Sequence, residues 1–185
     1  MKSIYFLGLG ALGAKYAASF YEYNPEIVSV IVDEERKNRY EKSQIFVNDK
    51  AYDFNYVTKI KDNNYPDYIF LVVKSSHLQQ AIEDMKPFVG ENTMIVSLMN
   101  GISSERVLAD HFGWDRVVNA VAYMDAVKVD NCVTFSSIGK IIFGKMDSIN
   151  HDKLIDLHEL MNVAEIPNQL SDDIQKAQWA KYLVN

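Results

Sequence analysis

Continuous apolar runs recur along the chain, separated by stretches in which apolar and polar positions mix at helical spacing. Ile4-Tyr5-Phe6-Leu7 opens the pattern, and Ile27–Val32, Tyr68–Val73 and Met94–Leu98 repeat it. Runs without polar alternation predict strands buried on both faces. The pattern predicts strands at 2–7, 27–33, 68–73 and 93–98, and helices at 11–22, 34–42, 76–86 and 103–111. Alternating strand and helix predicts an α/β fold: a doubly wound, mostly parallel sheet flanked by helices. Residues 44–58 place Phe46, Val47, Tyr52, Phe54 and Val57 around Asn48-Asp49-Lys50 and read as a small inserted hairpin. Segments 116–127 and 132–143 read as extended, with turns at Asp130-Asn131 and Gly139-Lys140. A helix is expected near 149–163. A last one is expected at 171–185, with Ser171 as N-cap and Asp172 and Asp173 in its positive first turn. That helix is still periodic at Asn185, without a stop signal, so a further, missing domain is expected after it.

The first strand runs into Gly8-Leu9-Gly10-Ala11-Leu12-Gly13, and helix formers follow at once. Strand, glycine turn and helix in that order predict a dinucleotide-binding Rossmann unit. Gly8 permits the tight turn, Gly10 lets a pyrophosphate approach the backbone, and Gly13 lets the helix pack close to the sheet. The helix N-terminus then holds the phosphate charge. Asp33 closes the second apolar run, where a carboxylate usually bonds the ribose hydroxyls. Residues 1–168 are thus expected to form the dinucleotide-binding domain, and 169–185 the start of an interdomain helix.

At 185 residues, 48% apolar and 24% charged, the chain has an ordinary globular composition. A net charge of −6 argues against a nucleic-acid surface. No apolar run approaches a membrane span, and the N-terminal apolar residues are needed in the sheet, so no signal peptide is expected. The single cysteine, Cys132, excludes an internal disulfide and reads as a small sheet residue. A cytoplasmic location is the expectation.

Lys74 follows the strand at 68–73, and Met99-Asn100-Gly101 follows the next strand. Both lie at the edge where doubly wound sheets bind ligands. Lys74 reads either as a phosphate or ribose contact or as a solvated helix-start residue. Asn100 reads either as a nicotinamide or substrate contact or as part of an ordinary turn. Lys181 and Asn185, four apart on the last helix, share a face. They read either as a solvated pair or as a pair that binds and protonates an oxygen. His77, His111, His151 and His158 form no metal set, so no metal is expected.

These pieces resemble the ketopantoate reductase (2-dehydropantoate 2-reductase) family over essentially the whole chain. The resemblance rests on the glycine turn, Val72-Val73-Lys74, Leu98-Met99-Asn100-Gly101, Val121-Ala122-Tyr123 and Trp179-Ala180-Lys181-Tyr182-Leu183-Val184-Asn185. It implies an NAD(P)-dependent oxidoreductase that reduces 2-dehydropantoate to pantoate, for pantothenate and coenzyme A synthesis. In these terms Lys181 is the general acid and Asn185 a substrate contact. Asn100 touches cofactor and substrate, and Lys74 touches cofactor. The implied cofactor is NADPH. Asp33, followed by Glu34 and Glu35, would repel a 2′-phosphate and keeps NAD open, although Arg36 could compensate. An all-helical domain follows in the family, so this chain is expected to be inactive alone; a homodimer is left open. The alternatives are a reductase of another 2-keto or 3-hydroxy acid and a non-catalytic nucleotide-sensing module.

Overall fold

Four short strands, each buried on both faces, form the middle of the molecule. They are β1 (Ile4–Leu7), β2 (Val28–Ile31), β6 (Tyr68–Leu71) and β7 (Met94–Ser97). The structure, a computed structural model, describes residues 2–144 and 151–184. Between and beyond those strands lie, in chain order, helix α1 (Ala11–Tyr23), α2 (Glu34–Lys42), strands β3 (Ile45–Val47), β4 (Lys50–Tyr52) and β5 (Asn55–Val57), and helices α3 (Leu78–Met85) and α4 (Ser104–Phe112). Strands β8 (Val117–Tyr123), β9 (Ala126–Val129), β10 (Cys132–Phe135) and β11 (Lys140–Gly144) follow, then α5 (His151–Val163), β12 (Asn168–Ser171) and α6 (Ile174–Val184).

Among the described residues the main sheet has the order β12-β11-β8-β7-β6-β1-β2-β5. From β5 through β8 every pairing is parallel, and β11 runs antiparallel to β8. Successive residues of a strand point to opposite faces, so each strand feeds two cores. On one face Phe6, Val30 and Phe70 pack with α1 and α5; Phe6 and Phe70 stack with ring centres 5.1 Å apart. On the other, Leu7, Ile69, Leu71 and Ile95 pack with α3 and α4.

Three local expectations are corrected. Residues 44–58 are not a single hairpin. Only β3 and β4 form one, turning through Asn48 and Asp49 at positive φ, the mirror-image turn that suits strand twist. Residues 55–57 instead join β2 at the edge of the main sheet. The β3–β4 hairpin belongs to a second sheet, β4-β3-β10-β9, seated over α1. Residues 168–171 form a strand beside β11, so the last helix starts at Ile174, not Ser171. Asp173 caps it, accepting from the Lys176 amide at 3.0 Å, and Ser171 accepts from the Asp173 amide before it. No helix among the described residues is long and apolar enough to cross a membrane.

Candidate functional site

The parallel strands end at one edge, and the loops leaving them line two neighbouring cavities. The register pairs Leu71 with Ser97; Lys74 and Asn100 each lie three residues further on, so they leave adjacent strands side by side.

The first cavity is a cleft of about 380 Å³. Its floor is the glycine turn. One wall comes from Val30–Val32, Arg36, Arg39 and Tyr40; the other comes from Val72–Lys74, His77 and Gln80. Gly8 holds φ at +108°, and a side chain there would run into the Val72 carbonyl. Gly13 sits against the carbonyl of Gly8, which brings α1 onto the turn. Above Gly10 nothing lies within 4 Å of where a Cβ would stand. Helix α1 begins there without a side-chain cap or an acidic first turn, so its first N–H groups, which include those of Ala11 and Leu12, face the opening. These residues fit a pyrophosphate: open space beside an uncapped helix N-terminus.

Asp33 is exposed and lies outside the lining of the cleft. Its Oδ1 accepts from the Arg36 amide at 2.6 Å as the N-cap of α2, and its Oδ2 lies 3.6 Å from Arg36 Nε. The sequence signal for that cap is an aspartate just before a helical segment, with Glu34 and Glu35 in the first turn. Arg36 and Arg39 are what the wall presents instead. Lys128, which no motif marks, crosses from β9 to the turn, where its Nζ donates to the Leu9 carbonyl at 2.5 Å. It also lies 5.9 Å from the Tyr40 ring, and burial, followed by the charge of Arg39, lowers its pKa.

The second cavity, about 500 Å³, is lined by Met99, Asn100, Gly101, Val121, Gln178, Lys181 and Tyr182. Here α6 leans on β8, and Tyr123 Oη donates to the Ala177 carbonyl at 3.3 Å. Lys181 Nζ donates to Asn100 Oδ1 at 3.0 Å and to the Ala122 carbonyl at 2.6 Å. Both acceptors are neutral, and burial lowers the Lys181 pKa. Residues 81 positions apart thus form a hydrogen-bonded pair in one cavity. Asn185 lies outside the described residues. The described histidines, carboxylates and cysteine form no group able to hold a metal.

The family model for ketopantoate reductase PanE/ApbA matches residues 4–148. The chain belongs to that family. The 2-dehydropantoate 2-reductase of Streptococcus pyogenes serotype M6 is 20% identical over 98% of this chain and 61% of its own. The chain therefore spans about three fifths of the length of the curated relatives it matches. The solved 2-dehydropantoate 2-reductase of Geobacter metallireducens superposes with a TM-score of 0.83 at 23% identity, over 97% of this chain and 61% of that one. A D-mandelate dehydrogenase solved with NADH and anilino(oxo)acetate superposes equally well, at 0.83 and 18% identity, over 98% of this chain and 60% of that one. The fold is shared among these proteins while the substrate in their names differs.

Proposed function

We propose that the protein binds a reduced nicotinamide dinucleotide in the glycine-turn cleft and reduces the keto group of 2-dehydropantoate to give pantoate. The observation that carries this reading is the Lys181–Asn100 pair in a cavity beside that cleft. A bound reduced nicotinamide supplies the hydride. Lys181 holds the proton that the product oxygen needs. No carboxylate competes for its ammonium among its described partners, and its lowered pKa favours donation to an alkoxide. Asn100 keeps that ammonium aimed across the cavity mouth. Asn185 is proposed as a substrate contact. NADPH is the proposed preference, because Arg36 and Arg39 line the cleft while the Asp33 carboxylate is held in the helix cap.

A second reading, reduction of an aryl 2-keto acid, is favoured by the likeness to D-mandelate dehydrogenase. Titrating NADPH and NADH, then following nicotinamide oxidation with 2-dehydropantoate and with phenylglyoxylate, separates the two. Failure to bind either cofactor overturns both. Cofactor binding without turnover of any keto acid, in a protein that also carries the all-helical domain that follows in the family, leaves the nucleotide-sensing module.

A further inference from the structure

Beneath the second cavity lies a chain of polar side chains that the proposed chemistry does not use. Glu105, in the first turn of α4, is only 2% exposed and has no cation among its hydrogen-bond partners. Its Oε2 accepts from Ser104 Oγ at 3.0 Å, and Ser104 Oγ lies 3.2 Å from Ser97 Oγ at the end of β7. Its Oε1 accepts from Gln178 Nε2 at 3.0 Å. Gln178 Oε1 in turn accepts from Asn119 Nδ2 at 3.2 Å. Asn119, on β8, is the register partner of Ser97. The chain of side-chain bonds runs from Ser97 to Asn119, whose Oδ1 is buried without a hydrogen-bond partner among the described residues, and the pairing of β7 with β8 sets its two ends on adjacent strands. It joins the end of β7, the start of α4, the middle of β8 and the buried face of α6.

The position of this network matters more than its strength. The loop from Leu98 to Ser103, which carries Asn100, starts and ends on it, at Ser97 and Ser104. Gln178 sits three residues before Lys181, on the same side of α6. Both partners of the Lys181–Asn100 hydrogen bond thus hang from one buried network. Apolar side chains would give non-directional burial and leave α6 free to slide or turn on β8. The directional bonds of the Glu105 carboxyl and the Gln178 amide give a fixed register. Burial raises the Glu105 pKa. In its acid form the carboxyl would donate to Ser104 Oγ and still accept from Gln178, so both of its bonds survive either protonation state.

We infer that Glu105 and Gln178 are positioning residues, which set the place of Lys181 against Asn100 by pinning α6 to the loop after β7. The inference rests on the reading of Lys181 as the proton donor, but its test reads the lysine directly. The test is competitive acylation of the protein as a function of pH, with Lys181 followed by mass spectrometry, together with amide exchange of α6. Wild type should show Lys181 titrating below the ordinary lysine range. Glu105→Gln should match wild type, because a glutamine accepts from Gln178 and donates to Ser104. Glu105→Leu and Gln178→Leu should return Lys181 towards the ordinary range. They should also speed α6 exchange on the order of tenfold, the factor carried by about one lost buried hydrogen bond. Should Glu105→Leu fail to fold, Gln178→Leu decides alone. An unchanged Lys181 titration in the foldable leucine variants overturns the inference. So does a Glu105→Gln protein that behaves like Glu105→Leu. Failure of wild type to bind either cofactor would count against the proposed function and leave this result standing.

Discussion

At the scale of single residues, two lysines show how burial alone sets chemistry. Lys181 is held by neutral oxygens, and burial lowers its pKa. As pH rises through that lowered value the proton donor is lost, so turnover should fall on the alkaline side earlier than for an ordinary lysine. Lys181→Ala should remove that limb and lower kcat by about two orders of magnitude, the usual scale for a positioned general acid. Steady-state kinetics from pH 7 upward, in a protein that also carries the all-helical domain that follows in the family, check both, and cofactor affinity should stay near wild type. Lys15 is the contrasting case. It is 3% exposed on α1, lies 4.5 Å from the Tyr16 ring centre, and burial lowers its pKa to about 8. Below about pH 8 both folded and unfolded chains carry its proton, and the fold bears the full cost of burying the charge. Between about 8 and the ordinary lysine value near 10.4 the folded state releases its proton first, so stability rises with pH. Lys15→Met should remove that slope and stabilise the fold at neutral pH by about 1–3 kcal/mol. Urea melts of the two proteins at pH 7 and pH 9.5 would show it; parallel curves would contradict it. Cofactor choice is also a residue-scale matter. Arg36→Gln and Arg39→Gln should each weaken NADPH binding by roughly tenfold, about one charge-assisted hydrogen bond, and leave NADH almost unchanged. Calorimetric titration of both cofactors checks this.

At the scale of elements, legibility in the sequence followed burial. The strands β1, β2, β6 and β7 are apolar on both faces, so their residues alone declare them. Strand β12, Asn168-Gln169-Leu170-Ser171, has one exposed residue and none buried. Its identity comes from β11 beside it, and nothing local encodes that partner. Strand β5 reads in the sequence as part of the inserted hairpin over 44–58, because three residues cannot specify which edge they join. The glycine turn was legible because each glycine answers a local need of strand, helix or ligand. The network around Glu105 is not legible. Its members lie in four elements and share no spacing, and a glutamate in a first helical turn ordinarily reads as a solvated dipole partner. Lys128 was missed for the same reason. It ties the second sheet to the glycine turn through the Leu9 carbonyl. Lys128→Met should loosen that turn and weaken cofactor binding several-fold, by about the net worth of one hydrogen bond. Fluorescence titration of the nicotinamide would detect the change.

At the scale of the whole molecule, the two cavities lie at one sheet edge but draw on different supports. The cleft depends on β1, β2, β6 and the turn between β1 and α1. The Lys181 cavity depends on the loop after β7, on β8 and on α6. Damage to one should spare the other. Gly10→Val fills the open space over the turn without touching a packed neighbour. It should block cofactor binding, keep the circular dichroism of wild type and leave the Lys181 titration unmoved. A Gly10→Val protein that binds cofactor normally would mean that the pyrophosphate lies elsewhere.

The bond between Lys128 and Leu9 spans 119 positions of the chain. A ribosome adds those residues in roughly 6–24 s, at about 5–20 residues per second. For that interval the glycine turn exists in the nascent polypeptide without its clasp. The β3–β4 hairpin likewise waits for Val133, the strand partner of Val47. The region that is made first is therefore completed late, and a chaperone or a cofactor meeting the growing chain would find the turn still open.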